Sequence, residues 1–277
     1  MDALTVSAGQ AACTPLDIPA NAATATDLLR RAADQGADLL VLPELFLTGY
    51  ELPGIAADPD RYTVAPDDPR LDELAAACAQ TRTAVVVGAP TRDPDSGGLH
   101  ISALALDRAG RPAAGYHKQH TTPDERAAGF AAGDRGCTLI LDGWRLGLGI
   151  CWDSGFPEHA RAAALDGCDA YLVGAMFGRG SGAGQRAVVF PARALDNTCY
   201  TVLANHSGPS GPYDGCGGSA VWGPDGGLLA DAGTADPGLA TVRLDPAVLA
   251  AARLAEPVLT DPSLTAPRRA RDCHALG

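Results

Sequence analysis

Several short runs of this chain are apolar at every position instead of at every second one. Residues 39–42 and 84–87 are examples, and 170–173 and 200–204 are similar. A strand can be continuously apolar only when both of its faces are buried, and helices are the usual cover. Helical spacing of leucine and alanine precedes two of these runs, over 21–35 and 71–78. The pattern predicts a mixed α/β fold in which helices lie outside two sheets.

The length and the turns of the chain favour one large domain. Its 277 residues can bury a substantial core, and no linker-like stretch divides them, so we expect a single domain over 1–256. A Pro-Asp-Gly turn within 223–227 predicts a hairpin, one of several antiparallel pairs. Residues 257–277 are rich in Pro, Arg and Asp without periodicity, and we expect a C-terminal arm or a partly disordered tail.

Charge and cysteine content narrow the class of protein. The formal net charge is −12, and no long basic stretch interrupts it, so we expect no nucleic-acid partner. No apolar run is long enough to cross a membrane, and the N-terminus lacks the layout of a signal peptide. The eight cysteines form no C-x-x-C pair, which favours a reducing, cytoplasmic location. The six histidines lack paired metal-ligand spacing, so we expect no metal or other cofactor.

Three reactive side chains stand at the ends of predicted strands. Glu44 follows the run 39–42, Lys118 ends a strand that begins near 113, and Cys151 closes the strand-like segment 144–150. A thiol attacks a carbonyl or nitrile carbon well when a base takes its proton and donors hold the developing negative charge. Each residue alone also has an ordinary explanation: a capping acid, a solvated lysine and a buried structural cysteine.

Two further acids stand near these residues. Glu125 follows Lys118 by seven positions in a predicted loop, where it could pair with Lys118 or with Arg126. Asp153 is expected to cap the helix that follows Cys151, and its place beside the thiol also makes it a candidate for substrate binding.

Taken together, three ordered segments carry a family resemblance. They are Pro-Glu-Leu-Phe-Leu-Thr-Gly-Tyr at 43–50, the Lys118 segment with Glu125 and Phe130, and Gly-Ile-Cys-Trp-Asp-Ser-Gly-Phe-Pro-Glu at 149–158. In this order and spacing they resemble the nitrilase superfamily of carbon-nitrogen hydrolases, and the likeness continues through 192–197, 204–208 and 217–219. Asp196 stands where the family usually has Glu, and Gly155 replaces a bulkier residue, which bears on pocket shape.

The resemblance implies a four-layer αββα sandwich that assembles as a homodimer or a higher homo-oligomer. It also implies a general base at Glu44, an oxyanion stabiliser at Lys118, a nucleophile at Cys151 and a second glutamate at Glu125 that positions lysine or substrate. The backbone N–H of Trp152 would be the other oxyanion donor. The chemistry would need no cofactor.

The expected reaction is hydrolysis of a small amide through a thioester, releasing ammonia and a carboxylic acid. N-carbamoyl amines and then nitriles are alternative substrates, so the expected partner is a small amide or carbamoyl compound. Tyr50, Met176 and Phe177 are expected to contact it together with Asp153. The charge of the substrate tail stays open, because the acidic loop 51–68 could hold an amine whereas Arg179 or Arg186 could hold a carboxylate.

Two rival interpretations belong to other classes. In a Cys-His hydrolase of the glutaminase type, His159 or His206 would serve as the base for Cys151. In a catalytically silent relative, the chain would act as a binding protein. Replacing Glu44 distinguishes the first rival, because a Cys-His enzyme should largely survive the change. The second rival would be favoured if Cys151 reacted with iodoacetamide no faster than the other cysteines.

Overall fold

The computed structural model describes residues 1–261, 264 and 270–276. Its α-helices are α1 Ile18–Asp34, α2 Leu52–Ala57, α3 Pro59–Tyr62, α4 Asp72–Thr81, α5 Pro123–Ala127, α6 Pro157–Leu165, α7 Ser181–Asn197 and α8 Pro246–Ala255. Its strands are β1 Leu4–Gln10, β2 Leu39–Val41, β3 Ala84–Arg92, β4 Leu99–Leu106, β5 Pro112–His117, β6 Gly136–Leu141, β7 Trp144–Ile150, β8 Ala170–Ala175, β9 Tyr200–Asn205, β10 Ser207–Ser210, β11 Tyr213–Cys216, β12 Ala220–Trp222, β13 Leu228–Asp231, β14 Gly238–Leu244 and β15 Arg271–Ala275. Short 3-10 turns span Pro69–Leu71, Cys151–Gly155 and Val258–Thr260.

Two large sheets form the centre of the fold. The first has the order β14-β1-β2-β3-β4-β5 and the second the order β13-β12-β9-β8-β7-β6-β15. Parallel pairs lie in the middle of each sheet, β1-β2-β3 in the first and β7-β8-β9 in the second. Antiparallel pairs extend both sheets outward, as the hairpin turn at 223–227 predicts for β12 and β13.

The side chains of each central strand divide between two apolar layers. In β2, Leu39 and Val41 belong to the core between the sheets, whereas Leu40 packs with α1 and α4 on the outer face. In β8, Leu172 belongs to the same central core, and Val173 packs outward with α6 and α7. Successive side chains of a strand point to opposite faces, so continuously apolar strands need cover on both. The predicted αββα sandwich is confirmed.

Several segments differ from the sequence prediction for local reasons. The segment around Glu125, expected as a loop, forms α5, because Thr122 and Glu125 close a capping box in which each side chain receives the other's backbone N–H. The loop 51–68 contains α2 and α3, each opened by a proline in its first turn. The Gly-rich stretch 175–186, which contains Arg179 and Arg186, enters α7 from Ser181.

The described part of the predicted C-terminal arm adds to the second sheet. Within 257–277, Val258–Thr260 forms a 3-10 turn and β15 pairs in parallel with β6. Residues 262–263, 265–269 and 277, on which the prediction of an arm or tail also falls, lie outside the described residues. Among the described helices, none has the length and apolar character needed to cross a bilayer.

Candidate active site

The loop after β2 brings Glu44 between the two sheets. A Cβ atom at Gly88 of β3 would lie 2.1 Å from the carbonyl oxygen of Pro43, and one at Gly174 of β8 would lie 2.6 Å from that of Leu42. Real Cβ atoms do not approach other atoms so closely, so both strands need glycine where this loop passes between them. The position of Glu44 therefore depends on one glycine in each sheet.

His206 holds the backbone of the same loop. Its Nε2 lies 2.5 Å from the carbonyl oxygen of Glu44, and its Nδ1 lies 3.6 Å from Sγ of Cys13. A carbonyl oxygen can only accept, so Nε2 carries the proton. Burial lowers the pKa of His206 to about 4, which keeps the ring neutral at pH 7. Both ring nitrogens are engaged away from Cys151, so His206 does not serve as its base.

Lys118 connects two glutamates at the centre of the site. Its Nζ donates to Oε1 of Glu44 and to Oε1 of Glu125, each at 2.6 Å, and all three side chains are fully buried. Oε1 of Glu125 also accepts from the hydroxyl of Tyr50, and its Oε2 accepts from the backbone N–H of Thr122 at 2.8 Å. Buried charges persist when they are paired and hydrogen-bonded, as these are. Of the three N–H groups of the ammonium, the two carboxylates occupy two and leave one for a ligand.

The electrostatics of this cluster suit proton transfer near neutral pH. Burial raises the pKa of Glu44 to about 7, the charge of Lys118 opposes the rise, and the charge of Glu125 adds to it. Burial by itself would lower the pKa of Lys118, but the charges of Glu44, Cys151 and Glu125 raise it above its ordinary value. Lys118 therefore stays protonated, whereas Glu44 can both gain and lose a proton.

Cys151 begins the 3-10 turn directly after β7. Its φ of 43° lies in the left-handed region, which residues other than glycine rarely adopt and which is often found at active sites. Burial and the charge of Glu44 raise the pKa of the Cys151 thiol well above its ordinary value, so the resting thiol is neutral. Oε2 of Glu44 is buried without a hydrogen-bond partner among the described residues, and the Cys151 thiol is close enough to lower the pKa of Glu44. The free carboxylate oxygen is thus available for the thiol proton.

A cavity of about 440 Å³ opens above this cluster, within the size range of small-molecule sites. Tyr50, Met176 and Phe177, three residues expected to contact substrate, line it together with Cys151 and Trp152. Tyr213 completes an aromatic wall, with its ring 5.3 Å from that of Tyr50.

Asp153, the fourth residue expected to contact substrate, lies elsewhere. Its side chain is fully buried, and it is absent from the cavity lining. It accepts hydrogen bonds from Ile150, Tyr116 and His120 behind the nucleophile turn. The expectation that it caps the next helix is wrong, because α6 begins at Pro157 after Phe156 without a side-chain cap.

The other candidates from the sequence are engaged outside the reacting centre. His159 lies between two tyrosines, with Nε2 2.8 Å from the hydroxyl oxygen of Tyr116 and Nδ1 2.8 Å from that of Tyr171. It therefore does not replace Glu44 as the base for Cys151. Arg179 lines the cavity but is paired with Asp214 at 2.8 Å, and Arg186 pairs with Asp231.

Some residues that shape the site are not predicted from the sequence. The close approach at Gly88 and Gly174 leaves no local signal, because it depends on which strands become neighbours across the fold. The sequence suggests His206 only as a rival base, whereas in the structure it holds the Glu44 loop. Thr122 does carry a readable signal, because Thr-x-x-Glu followed by a helix is a capping box.

Comparison with known proteins identifies relatives over most of the chain. A family model for carbon-nitrogen hydrolases matches residues 5–254. The "Hydrolase in pqqF 5'region" of Pseudomonas protegens is 35% identical over 230 residues, which are 79% of this chain and 75% of that protein. An (R)-stereoselective amidase of a Pseudomonas species is 34% identical over 203 residues, or 71% of this chain and 69% of its own length.

Solved structures of an amidase from Nesterenkonia sp. AN1 are similar throughout. A double mutant in complex with acrylamide has a TM-score of 0.81 at 31% identity and covers 94% of both chains. Another mutant of that amidase has a TM-score of 0.81 at 31% identity, with 95% of both chains covered. In that structure the acetamide moiety of fluoroacetamide is covalently added at the active-site cysteine.

Proposed function

This chain belongs to the carbon-nitrogen hydrolase family, within the nitrilase superfamily, and we propose that it hydrolyses small amides through a thioester formed on Cys151. It is an amidase-like hydrolase of C–N bonds other than peptide bonds. One observation carries the assignment of roles within this chain: a buried Lys118 ammonium between Glu44 and Glu125, with Cys151 beside it on the cavity.

In the first half-reaction, the sulfur of Cys151 bonds to the amide carbonyl carbon while its proton passes to Oε2 of Glu44. The remaining N–H of Lys118 and the backbone N–H of Trp152 receive the oxyanion. Support for Trp152 comes from its position in the 3-10 turn Cys151–Gly155, because the first N–H groups of a helical turn have no partner within that turn. Glu44 then protonates the amide nitrogen, the C–N bond breaks and ammonia leaves.

In the second half-reaction, water replaces ammonia. Glu44 takes one proton of the water as the hydroxyl oxygen bonds to the thioester carbon, and the C–S bond then breaks. The sulfur recovers its proton from Glu44, and a carboxylic acid is released. A base with a pKa of about 7 suits both directions of transfer at neutral pH.

The cavity lining supports a preference for amide substrates whose acyl group is uncharged. Tyr50, Trp152, Met176, Phe177 and Tyr213 present largely apolar surface. The charged lining residue among those described is Arg179, and Asp214 pairs with it. Acrylamide, the amide in complex with the similar Nesterenkonia amidase, is uncharged and is consistent with this preference.

We also assign the protein to the cytoplasm and to a homodimer. All eight cysteines are free thiols, as expected in a reducing compartment. Family membership supports the dimer, and light scattering after gel filtration would test it by giving twice the 28.2 kDa of one chain.

An ammonia-release screen across amides, N-carbamoyl amines and nitriles tests the reaction. The wild type should release ammonia most rapidly from amides, and Cys151→Ala should abolish turnover. Cys273→Ala is the matched control, because Cys273 is exposed and remote from the cavity. The proposal would be contradicted if Cys151→Ala hydrolysed amides, or if the wild type released ammonia faster from nitriles than from amides.

A further inference from the structure

The side chain of Asp153 turns away from the cavity and receives four hydrogen-bond contacts. Oδ2 accepts from the backbone N–H of Ile150 at 3.0 Å and from the hydroxyl of Tyr116 at 2.6 Å. Oδ1 accepts from the backbone N–H of His120 at 2.8 Å and lies 2.9 Å from Nδ1 of the same residue. A carboxylate only accepts, so Nδ1 of His120 carries a proton. A carboxylate has about four acceptor sites, so the four contacts use all of them.

The donors belong to the two catalytic segments. Ile150 immediately precedes Cys151, whereas Tyr116 and His120 stand two residues before and two residues after Lys118. The Lys118 segment extends β5 of the first sheet, and the Cys151 turn extends β7 of the second. No ladder of backbone hydrogen bonds joins β5 to β7, because each belongs to its own sheet. One carboxylate thus connects the lysine to the nucleophile across the interface between the sheets.

A second row of buried side chains fixes this carboxylate from behind. Tyr116 uses its proton on Asp153, so its oxygen accepts from Nε2–H of His159, whose Nδ1 contacts the hydroxyl of Tyr171. A Cβ at Gly149 would lie 2.3 Å from that hydroxyl oxygen, so Tyr171 packs directly against the backbone of β7. The row leaves little freedom for Asp153 to move without displacing Tyr116.

The charge of Asp153 is stable in this environment. Burial by itself would raise the pKa of its carboxyl, but His159, His120 and Tyr116 hold the pKa below its ordinary value. Burial raises the pKa of Tyr116 well above its ordinary value, so its hydroxyl keeps the proton that it donates. Asp153 therefore stays charged and Tyr116 stays a donor to it throughout the neutral range.

We propose that Asp153 is a positioning residue that sets the separation between the Lys118 ammonium and the Cys151 sulfur. This role rests on the proposed function, because it serves the step in which the oxyanion forms between those two groups. Asp153 touches neither the cavity nor the reacting atoms. It acts through Ile150 on one side and through Tyr116 and His120 on the other.

Asp153→Asn tests the role while preserving the shape of the side chain. An amide replaces one acceptor oxygen by an N–H₂ group, so at least one pair of donors would face another donor. A shift of the two segments on the order of 1 Å can lower a rate by about 100-fold. We expect kcat to fall by about 10- to 100-fold while KM changes by less than about threefold. Alkylation of Cys151 by iodoacetamide, followed on its own peptide by mass spectrometry, should slow by a similar factor.

Asp169→Asn is the matched control. Asp169 is also buried, its Oδ2 accepts from the backbone N–H of Arg145 at 2.9 Å, and Arg145 lies near the start of β7, far from Cys151 along the strand. Both variants should lower the melting temperature, but Asp169→Asn should leave kcat and the alkylation rate within about twofold. If Asp153→Asn also left both rates within twofold, Asp153 would be a structural acid and the proposal would be overturned.

A second variant and a second readout keep the test decisive. Should Asp153→Asn fail to fold, Tyr116→Phe removes one donor and should lower kcat and alkylation by about three- to tenfold, and unchanged rates would overturn the proposal. If both variants fold, their effects should not add, because they interrupt one network. Alkylation needs no amide substrate. A wild type that hydrolyses no amide would therefore refute the proposed function, while slow alkylation of Asp153→Asn would still support the positioning role.

Discussion

Glu125→Gln is the substitution whose effect on activity the site geometry predicts most directly. Oε1 of Glu125 receives Lys118 and Tyr50, and Oε2 receives the backbone N–H of Thr122. Glutamine offers one oxygen and one N–H₂ group, so the N–H₂ faces either Thr122 or the pair formed by Lys118 and Tyr50. A buried donor left without an acceptor costs about 1–3 kcal/mol. In either orientation the variant loses at least one such bond and the charge beside the ammonium.

The expected consequence has two parts. Because Lys118 is no longer held between two carboxylates, we expect kcat to fall by about 10- to 100-fold, which corresponds to about 1.4–2.7 kcal/mol. Because the negative charge of Glu125 raises the pKa of Glu44, its removal should also move the acid limb of the pH–rate profile to lower pH. The assay is steady-state ammonia release from one amide measured across pH 5–9.

Asp124→Asn provides the control for Glu125→Gln, because Asp124 is the neighbouring exposed acid of the same short helix. It should leave both kcat and the acid limb unchanged. A Glu125→Gln enzyme with kcat within twofold of the wild type and an unshifted limb would refute the reasoning, because it would show that the second carboxylate has no part in the cluster.

Two other predictions follow from the electrostatics and packing of the Glu44 loop. Since the pKa of Glu44 is raised to about 7, kcat/KM of the wild type should rise with pH through that value. The contribution of Glu44 to stability should instead decrease as pH rises from its ordinary pKa to about 7, because the folded state binds the proton more tightly than the unfolded state. Denaturant unfolding across this pH range measures the decrease. An acid limb below pH 5 would contradict this. Gly88→Ala should lower both activity and melting temperature strongly, because its Cβ would lie 2.1 Å from the Pro43 carbonyl oxygen. The control is Gly184→Ala in α7, where a Cβ would have no atom within 4 Å, and it should be neutral or stabilising by about 0.4–1 kcal/mol. Equal melting temperatures for the two variants would show that the loop can move aside.

The sequence supports prediction of the fold and site where the signal is local or is repeated along the chain. Continuously apolar runs with helical cover indicate the buried sheets, and Glu44, Lys118 and Cys151 stand at strand ends that the fold brings together. Failures arise where a residue acts through a distant neighbour. Asp153 looks like a helix cap beside the thiol, and only the approach of the Lys118 segment to the Cys151 turn shows that its oxygens are used by Tyr116 and His120.

The charge of the buried cluster explains why a neutral thiol and a carboxylate with a raised pKa suit each other here. Glu44, Glu125 and Lys118 together carry one net negative charge when Cys151 is protonated. Moving the thiol proton to Glu44 leaves that total unchanged, because the carboxylate becomes neutral as the sulfur, and then the substrate oxygen, takes up the negative charge. The ammonium of Lys118 contacts Glu44 before the transfer and is available to the oxyanion after it. Since no charge enters or leaves a site that burial has already desolvated, the reaction avoids the large penalty of creating a new buried charge. The same reasoning explains why a preformed thiolate is unnecessary.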